Sequence, residues 1–311
     1  MSARESIIPV FVPHLGCPND CVFCNQRRIT GRQEPATPAT EQRAVEEAEK
    51  IPRGDVKRQL AFYGGSFTAI PSKMQEELLA AAYEYVLQGK IDSIRLSTRP
   101  DAIDGEILKR LKRYNVETVE LGAQSLDDEV LLLSGRGHTA GDVISSSKLI
   151  KDNGFRLIIQ MMTGLPGDSD EKCLETLDKI IKIRPDGVRI YPTVIIRDTP
   201  LYDLWKSGRY KEHTVEDAVR ICAKLLPILQ RENIPVIRLG LNPTDELSSG
   251  SAAGGAYHPA LGELVKSRII YNYLESELTG IKEGSAITVL CPPSKISQLT
   301  GQHRSNVTAL T

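Results

Sequence analysis

Six short runs rich in β-branched and apolar residues recur along the chain, and each is followed by a segment with helical periodicity. The runs are IIPVFVPH from Ile7, QLAFYGG from Gln59, SIRLSTRP from Ser93, ETVELGAQS from Glu117, FRLIIQMMTGLP from Phe155 and GVRIYPTVI from Gly187. Each has an apolar centre bounded by Gly, Pro or polar residues, the pattern of a strand buried on both faces. Between them, Pro38 after Thr37 opens an Ala- and Glu-rich helix over 39–51. Met74, Leu78, Ala82 and Tyr85 mark the face of a second, with Gly89 just past its end. Ile103, Ile107 and Leu111 mark a third, and Val143, Leu149 and Ile150 a fourth. Cys173, Leu174, Leu177 and Ile181 mark a fifth. Thr214 with Asp217 forms a capping-box pattern that opens a sixth. Strands alternating with helices imply a parallel sheet with crossover helices. A closed barrel needs about eight units, so the expected fold is α/β, a partial (β/α)6 barrel with a C-terminal α+β extension.

The expected division is residues 1–232 for the barrel and 233–311 for an extension packed on it. In the extension, IPVIRLG from Ile234 reads as a seventh strand, 242–259 as loop, Leu261–Leu278 as helix and ITVLC from Ile287 as a late strand.

Charge and apolar content narrow the function classes. Lys and Arg total 39 against 40 Asp and Glu, a formal net charge of −1, which is not the footprint of a protein held to nucleic acid by bulk charge. No apolar run reaches the roughly 18 residues needed to span a bilayer, and no signal-peptide pattern is present at the start. A soluble cytoplasmic protein with no membrane association is expected. Six cysteines in 311 residues are too few for a disulfide scaffold.

In parallel sheets, chemistry gathers at the C-terminal ends of the strands. Here those ends carry the unusual residues: the cysteine loop after the first strand, Gly64-Gly65-Ser66 after the second and Ser97 at the end of the third. Gln124 ends the fourth, Gln160 through Pro166 the fifth and Tyr191 the sixth. Cys17, Cys21 and Cys24 lie on one loop, at a spacing that lets three thiolates converge on a metal centre. An electron-transfer cluster ordinarily takes four cysteines. Cys173 and Cys222 sit on apolar helix faces and read as core, and Cys291 is distant in sequence. A site short of one protein thiolate leaves a metal position open, as catalysis requires. A zinc site completed by His14 is the competing reading of the same residues.

CxxxCxxC with an aromatic, Phe23, before the last cysteine, placed after the first strand of a partial barrel, resembles the signature of the radical S-adenosylmethionine (SAM) enzymes. The resemblance implies a 4Fe–4S cluster on Cys17, Cys21 and Cys24, with SAM chelating the fourth iron and cleaved to a 5′-deoxyadenosyl radical. The cofactor carries the hard chemistry and the protein orients it. By the same resemblance Gly64, Gly65 and Ser66 correspond to the glycine-rich stretch that holds the SAM amino group. Phe23 and Tyr191 lie near adenine, and Asn25 belongs to the cofactor-binding loop. Gln124 and Arg136, in GAQSLDDEVLLLSGRGHT, are similar to residues of the oxygen-independent coproporphyrinogen oxidase subgroup that contact the ribose and carboxylate. Two positions depart from the family pattern: Ser97 stands where many relatives have Glu, and Gln160 where coproporphyrinogen-oxidase-like members have Asp.

STRPDAI, ELGAQSLDDEVL, GRGHT, MMTGLPG and RIYPTVIIRDTPLYDLWKSGRY resemble the radical SAM half of the Elongator catalytic subunit, although that subunit has a longer first cysteine gap. RLGLNPTDEL and GGAYHPALGELV resemble the tail of small bacterial Elongator-like proteins. The residues after Ile270 are expected to be too few for an acetyltransferase domain. The implied partners are an electron donor such as flavodoxin or ferredoxin, and a substrate that is a tRNA base or a small molecule. Arg27, Arg28 and Arg32 are candidates to meet phosphate, and Arg189 and Arg197 an anionic substrate. A non-catalytic iron–sulfur or zinc protein that binds RNA or a partner is the alternative, prompted by the neutral Ser97 and Gln160. A porphyrin-pathway enzyme fits less well.

Overall fold

The computed structural model describes residues 4–12, 17, 21–25, 36–243, 247–282 and 284–310. Among these, seven strands form one sheet. They are β1 (Arg4–Phe11), β2 (Val56–Tyr63), β3 (Ser93–Thr98), β4 (Val116–Gln124), β5 (Arg156–Thr163), β6 (Gly187–Pro192) and β8 (Val236–Leu239), in the order β1-β2-β3-β4-β5-β6-β8. Every pairing is parallel. The sheet is an open, curled half barrel, and the seventh strand foreseen at IPVIRLG is its last.

Helices cross over between the strands: α1 (Pro38–Glu49), α2 (Ser72–Leu87), α3 (Gly105–Arg113), α5 (Ala140–Asp152), α6 (Asp170–Ile183) and α8 (Val215–Arg231). Thr37 and Thr40 cap α1 reciprocally with Pro38 at its first turn, and Thr214 and Asp217 do the same for α8. Two short helices, α4 (Asp128–Leu133) and α7 (Pro200–Lys206), add to the expected set. Both arise at local caps, Asp127 accepting from the Val130 amide and Thr199 from the Tyr202 amide. After β8 come α9 (Leu261–Leu278), as the periodicity predicts, then α10 (Ile296–Thr300) and α11 (Ser305–Leu310).

Two expectations for the tail are corrected. The stretch 242–259 is not all loop: β9 (Ala252–Gly255) pairs antiparallel with β7 (Val194–Ile196) in a separate two-stranded sheet. The stretch 287–291 is not a strand. It has no ladder partner among the described residues, and Leu290 stands 91% exposed. β-propensity alone makes no strand without a neighbouring backbone to pair with.

Strand side chains alternate between the faces with a period of two. Val10, Leu60, Leu96, Val119, Ile159 and Ile190 join the main apolar core. The opposite set on β2 to β6 and β8 includes Tyr63, Ser97, Glu120, Gln160, Arg189 and Arg238, and these line a cavity on the concave side. The continuous apolar look of the strand runs hid this split. Away from that lining, Glu41 on α1 is fully buried with neither carboxylate oxygen partnered among the described residues. Burial pushes its pKa up to about 9. No helix among the described residues is long and apolar enough to cross a membrane.

Candidate functional site

The concave face opens into a cavity of about 570 Å³ at the C-terminal ends of the strands. Cys17, Cys21 and Cys24 all line it, together with Phe23, Gly64, Gly65, Ser66, Ser97, Gln124, Arg136, Gln160 and Tyr191. Of the described site residues expected from the sequence, all meet in one place except Arg197 and Asn25, the latter half-buried on the cysteine loop but not part of the lining. His14, Arg27, Arg28 and Arg32 lie outside the described residues.

The cysteine loop is anchored from two sides. The Val22 amide donates to Ser134 O at 3.1 Å, at the end of α4, and the Leu201 amide of α7 donates to Val22 O at 2.8 Å. Phe23 and Val22 pack against the apolar group formed by Ile195, Leu201 and Tyr210. A turn closes between the cysteines, with the Cys24 amide donating to Cys21 O at 3.0 Å. Arg136 Nη1 donates to Cys21 Sγ at 3.2 Å and Nη2 to Gly122 O at 2.7 Å, so one guanidinium ties the loop to β4. Among the described residues, no three His, Cys, Asp or Glu side chains stand close enough together to hold a metal ion. The donor set still fits a thiolate-held iron–sulfur cluster: three thiols facing one cavity, with a fixed cation beside one of them. Cys173 and Cys222 are buried in the core, as expected, and burial drives both thiols far up, Cys222 to about 12.

The strand ends are shaped by backbone as much as by side chains. Gly64 has φ +98°, and a Cβ there would lie 3.4 Å from Val12 O. Only glycine takes that conformation cheaply, and it leaves the backbone of the 64–66 turn open to the cavity. The Ser66 hydroxyl is buried and already engaged, 2.9 Å from Thr98 Oγ1 and accepting from the Arg99 amide at 3.1 Å. On β4 the register slips between Gly122 and Gln124, and Gln124 sits at φ +66°. A left-handed non-glycine residue at a site rim is held there by its surroundings. His138 supplies part of that hold: Nε2 donates to Ala123 O at 3.1 Å. Burial and then Arg136 lower its pKa to about 4, so the ring is neutral near pH 7.

Below the cavity runs an ionic network that the strand patterns did not single out. Glu120 is fully buried. It accepts from Arg189 Nε at 2.8 Å, Arg95 Nη1 at 3.1 Å, Gln160 Nε2 at 2.9 Å and Tyr63 OH at 2.8 Å. Burial raises its pKa, but Arg189 and then Arg95 overcome this and hold it below the usual carboxylate range. Arg95 also pairs with Glu5 at 2.6 Å, and the Arg189 guanidinium lies 5.7 Å from the Tyr63 ring centroid. Gln160 is thus a neutral donor to an acid already present. The signal that could have found the network is a charged residue at the centre of an apolar run: Arg95 in SIRLS, Glu120 in TVELG, Arg189 in GVRIY. Arg189 is committed to Glu120 and is not free to address a substrate anion. Arg197 donates to Gly250 O at 2.9 Å and lies outside the lining.

Comparison with known proteins agrees with this architecture. The family model described as "Radical SAM superfamily" matches residues 11–180, and one described as "Radical_SAM C-terminal domain" matches 185–271. Elongator complex protein 3 of Homo sapiens is 30% identical over 225 residues, covering 66% of this chain and 41% of the relative. The tRNA uridine(34) acetyltransferase of Methanocaldococcus infernus is 27% identical over 313 residues, covering 88% of this chain and 57% of the relative. The chain thus spans about half the length of these curated relatives. Among solved structures, Methanocaldococcus infernus Elp3 superposes with a TM-score of 0.67 at 24% identity, over 89% of this chain and 64% of that one. Methylornithine synthase superposes at 0.53 and 16% identity, over 91% and 84%. These structures share the fold, and the family match covers more than half of the sequence. The chain belongs to the radical SAM superfamily.

Proposed function

We propose that Cys17, Cys21 and Cys24 hold the iron–sulfur cluster of this radical SAM enzyme, that SAM binds beside it in the cavity, and that the substrate is a nucleoside of tRNA. Radical SAM enzymes use a 4Fe–4S cluster and SAM, and they need a reductant and a substrate. When bound, the cluster supplies the electron for SAM cleavage, which yields a hydrogen-abstracting 5′-deoxyadenosyl radical. The chain's own residues bind and orient. Arg136, fixed by Gly122 O and Cys21, offers its guanidinium to the SAM carboxylate. The open backbone at Gly64 and Gly65, with Ser66, receives the amino group. Ser97 and Gln124 reach the ribose hydroxyls, Phe23 and Tyr191 flank adenine, and Asn25 borders the loop. Gln160 faces the substrate side, its amide oriented by Glu120. The observation that carries the reading is that three cysteines, Arg136, Gln124 and the Gly64–Gly65 turn all line one cavity.

The tRNA substrate is supported by the archaeal relatives named tRNA uridine(34) acetyltransferases, which align along most of this chain. A base inside a folded tRNA would have to be extruded to enter a cavity of this size. A small metabolite is the second reading, favoured by the balance of 39 basic and 40 acidic residues, which offers no bulk attraction to RNA. We propose flavodoxin or ferredoxin as the reductant and the cytoplasm as the location.

The test is anaerobic reconstitution with iron and sulfide, followed by dithionite and SAM. A four-iron absorption spectrum and release of 5′-deoxyadenosine, both lost in Cys21→Ala, are expected. A colourless protein with stoichiometric zinc would sink the assignment. Mass spectrometry of tRNA nucleosides from a deletion strain separates the two substrates: an unchanged profile rejects the tRNA reading.

A further inference from the structure

Among the described residues, the cavity lining carries four guanidiniums, Arg99, Arg136, Arg189 and Arg238, against one carboxylate, Glu120, beside the three cysteines. Three of these guanidiniums have clear commitments: Arg99 pairs with Asp101, Arg136 binds Cys21 and Gly122, and Arg189 pairs with Glu120. Arg238 differs. It stands on β8, the edge strand, directly opposite Arg189 in the β6–β8 register. Among the described residues its one hydrogen-bond partner is the neutral side-chain oxygen of Asn242, and it forms no ion pair. The Arg238 charge also acts on the phenol of Tyr191, half-buried in the same lining, whose pKa burial raises and the nearby guanidiniums partly pull back.

Two guanidiniums on adjacent strands repel each other, and only one has a carboxylate among the described residues. A half-buried cation beside a second one is costly unless an anion completes the group. Asn242 is exposed on the following loop and Leu241 and Leu247 line the same part of the wall, so the place opens outward and is bordered by apolar side chains. That is the makeup of a ligand subsite: a few convergent polar groups in an apolar frame.

We propose that Arg238, with Asn242 and the Tyr191 hydroxyl, forms an anion-binding subsite at the β6–β8 edge of the cavity that receives a phosphate or carboxylate group of the substrate. The inference rests on the reading of the cavity as the reaction site and adds a substrate class to it: whatever enters carries an anion. A nucleotide brings a phosphate and a small organic acid brings a carboxylate. The guanidinium fork suits both, so the chemistry is shared and the source is decided by measurement.

The experiment uses the full chain, reconstituted and saturated with SAM so that the SAM carboxylate site is filled. Inorganic phosphate and acetate are titrated separately by calorimetry at low ionic strength. Saturable phosphate binding that weakens about tenfold or more in Arg238→Gln, the loss of a charged hydrogen bond, assigns the subsite to a phosphate. The same pattern with acetate alone assigns it to a carboxylate. Arg238→Lys keeps the charge but not the fork, so its binding should fall between that of the unsubstituted protein and that of Arg238→Gln. Asn242→Asp tests the idea without removing the arginine: a carboxylate placed against the guanidinium should neutralise it and weaken binding as much as Arg238→Gln. Because Asn242 is exposed, this variant also serves if Arg238→Gln folds poorly. Absence of saturable binding of either anion to the unsubstituted protein overturns the proposal, as does binding unchanged in Arg238→Gln and Asn242→Asp. A protein that releases no 5′-deoxyadenosine but still binds phosphate through Arg238 would overturn the functional reading and leave the subsite standing.

Discussion

Replacing Glu120 by glutamine keeps the shape of the side chain and removes one charge from the floor of the cavity. Arg95 would keep Glu5 at 2.6 Å and the Gln59 side-chain oxygen at 2.7 Å. Arg189 would keep only neutral acceptors, the new amide oxygen, Tyr63 OH at 3.1 Å and the Tyr191 hydroxyl, with its guanidinium almost wholly buried. Stranding one member of a buried ion pair costs about 3–5 kcal/mol, a large share of the roughly 5–15 kcal/mol that holds a domain folded. Urea unfolding of Glu120→Gln at pH 7 should show that loss as a lower midpoint at unchanged slope. The pH dependence has a definite sign. The folded state holds Glu120 below its ordinary range, so its stabilisation is present above the unfolded pKa of about 4.3 and is lost as pH falls through the folded value. The difference between the two proteins should therefore shrink in strong acid. Adding Arg189→Met to Glu120→Gln removes the stranded cation and should recover a good part of the loss. A cost below about 1 kcal/mol at pH 7, or a double variant no better than the single, would refute the view that Arg189 depends on Glu120.

Three further outcomes can be measured. Glu41→Gln should stabilise the fold by about 3 kcal/mol at pH 7, because the buried acid must take up a proton between its ordinary pKa and about 9. The penalty grows as pH rises through that window, so the gain should fall to about 1 kcal/mol at pH 5, and an equal gain at pH 5 and pH 8 rejects the argument. Gly64→Ala forces a side chain onto φ +98° and should cost about 1–3 kcal/mol in thermal or urea unfolding; a neutral result would show that the turn relaxes freely. Gly122→Ala places a Cβ 3.0 Å from Gln124 Nε2 and 3.6 Å from Arg136 Nη2. It should weaken SAM binding about tenfold, or about 1.4 kcal/mol, in equilibrium dialysis of the reconstituted protein, with little change in melting temperature. Unchanged SAM affinity would remove Gln124 and Arg136 from the proposed SAM contacts.

Much of this protein is local in origin and legible along the chain. Apolar runs punctuated by Gly and Pro, and caps such as Thr37–Thr40 and Thr214–Asp217, depend on neighbours a few residues away. So do the bounds of Leu261–Leu278. Strand ends in a parallel sheet share one edge, so the order of elements alone assigns the cysteine loop, the Gly64–Gly65 turn, Gln124, Gln160 and Tyr191 to one site. What could not be read depends on partners distant in sequence. Strand 252–255 exists because Val194–Ile196 offers it a ladder, and 287–291 is no strand because no described segment does the same for it. The left-handed turn at Gln124 follows from a register slip against β5, and the role of Gln160 from the acid at position 120 on the neighbouring strand. Strand–helix order and the three thiols on one loop need nothing beyond short-range propensity and spacing. The inward-facing polar set needs the curled sheet. Pairing Glu120 with Arg95 and Arg189, and leaving Arg238 without a counter-charge among the described residues, depends on which strands become neighbours and in what register.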